Sequence, residues 1–364
     1  MLGEVTDEIQ EIVAALPAMT KVAGVWAAAE ERLARGDAAF VADLGIALAG
    51  PDESRAWQVR LVRHRLLRLL AFAPGVEAVT QTLRLVSAYQ TNAPKLAHHG
   101  MELLAACHPA AELAVAFTGR DVPADLRACL VQELVLRKVA VEEIPGVRGW
   151  LASPDWRSHP LSWLPLTLCA VEGDPALPQY SVRGGSVPYW SGIPGETGVP
   201  SEAATQVTET TTDAAATLIA AAVANWAEES NGRVEARTYT LAGSLGGFAE
   251  LGLACLEGKP ATIVPGRPDR AWRLLFSAAS TGGARNSGLR GAYGRLAAWR
   301  SLAGLCAALE GATAAEVEER AGQCAWFTFG ADSGWFKRIA WDIGLAVVTP
   351  DGRTLSVLAA TDTN

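Results

Sequence analysis

The chain has 364 residues and a formal net charge of −8, and half of its residues are apolar. That composition supplies a sizeable buried core and excludes a disordered, collagen-like or disulfide-stapled chain. Neither half is basic, which argues against a duplex nucleic-acid partner, because neutralising phosphates needs a positive surface.

The first twenty residues carry Glu4, Asp7, Glu8 and Glu11 with no basic residue ahead of an apolar run, so no secretory signal is expected. The longest uncharged apolar-rich run, residues 214–227, contains Thr217 and Asn225 and is too short to span a bilayer. Cys107, Cys129, Cys169, Cys255, Cys306 and Cys324 form no C-x-x-C pair and read as thiols of a reducing compartment. A cytoplasmic protein without a membrane partner follows as the expectation.

From residue 5 to about 171 the apolar period is helical. Val62, Leu66, Leu69 and Leu70 recur at three- and four-residue spacing, as do Leu126, Leu130, Leu134 and Val135. Breaks fall at Gly36-Asp37, Gly50-Pro51-Asp52, Pro74-Gly75, Asn92-Ala93-Pro94, His108-Pro109 and between Gly119 and Pro123. Similar helices joined by short turns predict stacked antiparallel pairs over residues 1–172, either a HEAT-like array or a bundle. Residues 173–212 are rich in Gly, Pro and Thr and read as a linker or functional loop, with Tyr189 and Trp190 packing on something.

Beyond Asp213 the pattern alternates, and residues 213–364 are expected to form an α+β domain. The predicted order is a helix to Glu229, a strand over 234–241, a glycine-rich turn over 243–247 and a helix to 256. Helices over 269–279, 287–309 and 313–321 come next, then strands over 324–329, 338–348 and 353–361. The last two strands are joined by Pro350-Asp351-Gly352. A three-residue loop pairs Asp342 with Ala360 and Ala340 with Asp362. A two-residue loop instead puts Leu355, Val357 and Ala359 on the Asp342 face. The first register is preferred because it gathers the bulky residues on one side. It makes Asp342 and Asp362 diagonal neighbours, a carboxylate pair suited to acid–base work.

Residues 259–300 hold eight basic residues against Asp269 alone. Arg285, Asn286, Ser287, Arg290 and Arg295 surround a glycine-rich stretch at a predicted helix start, an arrangement that suits a phosphate or carboxylate. Neither a Walker A pattern nor G-x-G-x-x-G is present, so no cofactor is expected. His98, His99 and Glu102 have helix-face spacing but no second ligand set, so no metal is expected either. His159 has no G-x-S-x-G partner. Of the twelve tryptophans, Trp150, Trp156 and Trp163 lie close together among prolines, where they line a groove or pack a core.

The segments Gly288-Leu289-Arg290-Gly291-Ala292-Tyr293-Gly294-Arg295-Leu296-Ala297-Ala298-Trp299 and Trp335 to Asn364 resemble an uncharacterised family of GC-rich, filamentous soil bacteria. That family is a domain of unknown function, and the resemblance covers mainly the last 150 or so residues. It implies no activity and no site residue. The expectation is an interaction or regulatory protein, immunity-like in kind. It would present a helical surface to a protein partner and take a small anionic ligand at the Arg285–Arg295 segment. The alternative is an enzyme whose site joins the 181–212 loop, Arg285–Arg300 and the Asp342/Asp362 pair.

Overall fold

The computed structural model describes residues 2–49, 56–119, 121–186, 200–201, 205–336 and 341–362. The expected packing of Tyr189 and Trp190, the turn at Gly50-Pro51-Asp52 and the pairing of Ala340 fall outside the described residues. Two compact units are present. The first comprises Met1–Ser162 with Gln179–Ser186, and the second Trp163–Pro178 with Val187–Asn364. The expected boundary at residue 172 therefore cuts a segment of the second unit. The 173–212 stretch is not one linker, because part of it returns to the first unit.

The first unit is helical: α1 (Leu2–Ala15), α2 (Ala23–Ala34), α3 (Ala38–Ala47), α4 (Trp57–Phe72), α5 (Val76–Tyr89), α6 (Pro94–Cys107), α7 (Ala110–Leu113), α8 (Val115–Thr118), α9 (Ala124–Leu136), α10 (Val147–Leu151) and α11 (Pro154–Arg157). The helix starts follow local chemistry. Asp37 accepts the Phe40 amide at 3.1 Å and caps α3, Pro94 opens α6, and Gly75 turns the chain into α5 at φ 94°. From α2 to α6 each helix touches its chain neighbour and, from α1 to α6, its next-but-one, with α1, α3 and α5 in one layer and α2, α4 and α6 in the other. Val62, Leu66 and Leu70 of α4 are fully buried between the layers, each contributing about 1.5–3 kcal/mol. A two-stranded hairpin, β1 (Gln179–Ser181) and β2 (Gly184–Ser186), completes this unit. Arg65 of α4 donates to the Val182 carbonyl at 2.6 Å, and Tyr180 packs edge-on against His99.

The second unit contains β3 (Pro200–Ser201), β4 (Val207–Glu209), α12 (Asp213–Ala220), α13 (Ala224–Glu229), β5 (Arg233–Leu241), β6 (Ala261–Gly266), α14 (Pro268–Thr281), α15 (Arg290–Leu305), α16 (Ala314–Gln323), β7 (Ala325–Gly330), β8 (Asp342–Val348) and β9 (Thr354–Thr361). Seven strands form one antiparallel sheet in the order β3-β6-β7-β8-β9-β5-β4. The architecture is thus α+β, with the helices concentrated toward the N-terminus. On one face Tyr239, Phe329, Ala346 and Val357 pack with Phe248, Leu251, Leu253 and Leu256. Helices α12 and α15 pack against β9 as well.

Two expectations are corrected here. A helix to residue 256 is replaced by loop and a single 3-10 turn, Ala254–Leu256, and β6 arises where no strand was read. The hairpin register is that of the alternative reading. Asp342 pairs with Thr361 and Val348 with Leu355 across a four-residue turn, within which Asp351 accepts from the Thr349 hydroxyl and the Arg353 amide. Leu355, Val357 and Ala359 therefore share the Asp342 face. Grouping bulky residues on one side presumes a hairpin with a wet face. These strands are central and buried almost throughout, so both faces are apolar.

Candidate functional site

The register separates the two carboxylates, because adjacent residues along a strand point to opposite faces. Asp342 is buried beside Thr361, whose hydroxyl donates to its Oδ1 at 2.7 Å. Asp362 is fully buried elsewhere, where its Oδ2 accepts the Ala284 amide at 2.7 Å and its Oδ1 the Ser230 hydroxyl at 2.9 Å. The glycine-rich stretch at 282–288 thus encloses a carboxylate of the chain itself. Asn286 takes two more of its amides. Its Oδ1 accepts the Gly283 and Gly288 amides and the Asn225 side chain, and its Nδ2 donates to the Asn225 carbonyl. The fit is tight enough that a Cβ on Gly283 would lie 1.9 Å from Asp362 Oδ2.

Arg295 also faces a carboxylate of its own unit. It holds Glu172 bidentately, Nε to Oε1 at 2.6 Å and Nη2 to Oε2 at 2.7 Å, with both side chains at 0% exposure. Its remaining donors reach the Pro165 and Thr167 carbonyls, while Trp299 Nε1 and the Cys169 amide complete the Glu172 shell. All three guanidinium nitrogens and both carboxylate oxygens are hydrogen-bonded, which offsets the cost of burying the two charges. Burial, reinforced by the Glu172 charge, pushes the Cys169 thiol up to about 12. Arg285 and Ser287 are exposed. Arg290, in left-handed backbone at φ 68°, keeps a buried Nε without a partner among the described residues. Of the five residues expected to bind an anion, Asn286 and Arg295 are thus engaged by groups of their own unit, and the two carboxylates expected to act together accept from different partners.

Histidines of the first unit pair locally. His99 meets Glu102 at 3.0 Å, as its spacing suggested, whereas His98 and His159 both approach Asp125, at 2.8 and 3.4 Å. Among the described residues no three His, Cys, Asp or Glu side chains are grouped to hold a metal ion. Trp150 packs on Trp156 and Phe117, and Trp163 packs edge-on against Trp299 in the second unit, so these rings form cores.

The sequence reading missed a surface on α4. Trp57 and Leu61 stand 49% and 43% exposed, one helical turn apart. The same i, i+4 line continues to Arg65 and Leu69, which border a groove of about 670 Å³. Leu33, Leu69 and Phe72 give it apolar walls, and Glu30, Arg65 and Arg183 a charged rim. Arg65 is fixed by Glu30 and the Val182 carbonyl, and Arg183 is exposed. The signal was present in residues 57–72, where apolar residues cover more of the helix than one buried face needs.

Among the described residues no helix is long and apolar enough to cross a membrane. A model of a family of unknown function, DUF6183, matches residues 23–364, so the likeness runs through both units and not mainly through the second. No curated protein and no solved structure matches the chain.

Proposed function

The chain belongs to DUF6183, and since that membership brings no activity with it, we propose from its surfaces that it is a binding protein. The first unit receives an apolar segment of a partner protein along α4. The observation that carries this reading is the exposed Trp57–Leu61 line running into the groove beside Leu69 and Phe72. Tryptophan at a surface supplies large contact area at low entropic cost and is enriched among residues that dominate binding energy. A helical apolar line beside a groove fits a partner segment with anchors at i and i+4. Arg183 on the rim favours an acidic residue at one end of that segment. A cytoplasmic, regulatory setting fits six cysteines that are all free thiols.

The test is a photo-reactive benzoylphenylalanine at position 183 of the full chain, activated in cells of its native host. The expected result is one discrete protein adduct, reduced at least tenfold by Trp57→Ala or Leu61→Asp. Both variants should unfold within about 0.5 kcal/mol of the parent, because the side chains are exposed. An adduct indifferent to both substitutions, or none at all, overturns the reading.

A further inference from the structure

Among the described residues, the sheet of the second unit has an edge left open where the chain turns. In β5, Arg237 and Glu235 direct their backbone groups toward β9, in step with the Leu241 amide, which donates to the Arg353 carbonyl at 2.8 Å. Thr240 and Thr238 direct theirs the other way, toward β4. The Thr238 carbonyl accepts the Thr210 amide and its amide donates to the Thr211 hydroxyl. There β4 stops, because Thr212 caps α12 through the Ala215 amide and the chain leaves as a helix. By the same alternation, Val234 and Ala236 point N–H and C=O outward, and among the described residues no strand lies beside them. A depression of about 450 Å³ runs along this edge, walled by Ala216, Thr217 and Ala220 of α12.

We propose that β5 is extended here by one strand of a partner polypeptide, which takes the antiparallel positions that β4 vacates after Thr210. Four outward backbone groups select a peptide main chain. The residues paired with Ala236 and Val234 face α12, where the alanine and threonine walls leave room for valine or threonine. The next position lies opposite Arg233. Arg233 is exposed, sits over the Trp335 ring at 4.5 Å and donates to the Gly334 carbonyl, and it has no carboxylate partner among the described residues. An acidic residue there completes it. A second copy of the chain is the poorer occupant. Two-fold pairing centred on Glu235 would place Glu235 against Glu235 and Arg233 against Arg237, like charges that oppose it. Pairing centred on Val234 would set Arg233 against Glu235, whose two carboxylate oxygens already accept the Ala254 and Cys255 amides. This surface is independent of the α4 groove.

The probe is an acetylated, amidated hexapeptide, Thr-Val-Thr-Val-Glu-Thr, added to the full chain and followed by amide hydrogen exchange. In the free protein, Val234 and Ala236 should exchange at least tenfold faster than Glu235 and Arg237. With peptide in excess, both should slow at least tenfold. A peptide N-methylated at its two valines should not do this, nor should Ala236→Pro, which removes only an outward N–H. The N-methylated arm keeps the test decisive if that proline perturbs the fold. Arg233→Glu should weaken the glutamate peptide and favour its lysine counterpart. Slow exchange at Val234 and Ala236 in the free chain, peptide binding that leaves them unprotected, or no binding overturns the proposal. So does a dimer abolished by Ala236→Pro, which would make the second copy the occupant.

Discussion

Glu172 and Arg295 show how residue type misleads when partners are distant in sequence. An arginine inside a basic run reads as a ligand-binding group, yet its carboxylate partner sits more than a hundred positions earlier, and no local pattern reveals it. Both side chains are wholly buried, so removing one charge leaves the other unpaired in a medium that solvates it poorly. Glu172→Gln or Arg295→Met should each cost about 3–5 kcal/mol, measured by urea unfolding. The double variant Glu172→Met/Arg295→Met should cost clearly less than the two losses added together, because the stranded charge is then gone. Asp362 follows the same logic, since the loop that looked able to hold an external anion is built around it.

At the scale of elements, what was legible depended on whether one face or two are buried. Helices α4 and α9 declared themselves by the three- and four-residue spacing of Val62, Leu66 and Leu70 and of Leu126, Leu130 and Leu134, although α9 is buried nearly all round. The capping box of Thr313 and Glu316 likewise marks the start of α16 in the sequence. Strands β8 and β9 were found, but their register was not, since covering both faces erases the alternation that would distinguish two registers one residue apart. Strand β6 was hidden by Pro265, a residue that ordinarily argues against a strand and is tolerated toward a sheet edge. Gly344 in β8 is the position where close packing leaves no choice, because a Cβ there would lie 2.0 Å from the Phe329 carbonyl oxygen of β7. Gly344→Ala should destabilise by about 3 kcal/mol, the upper end of overpacking effects. Gly149→Ala, on a helix with open space around the same atom, should be neutral or stabilising by up to about 1 kcal/mol. Thermal unfolding of the two variants checks the contrast.

For the molecule as a whole, the chain passes from the first unit to the second, back for Gln179–Ser186, and out again. A composition shift in the sequence marks that region without indicating that its pieces go to different units. The segment Trp163–Pro178 carries Glu172, so a fragment beginning at residue 173 leaves Arg295 without its carboxylate. Such a fragment should be recovered aggregated or molten, with near-ultraviolet dichroism lost, whereas one beginning at residue 163 should keep that signal. The sheet order adds a temporal constraint. Thr354–Thr361 is the last made of the seven described strands of this sheet, yet it sits between Asp342–Val348 and Arg233–Leu241. Until it arrives, the nascent sheet exists only as two separate pieces, each with an apolar flank that a chaperone would have to shield.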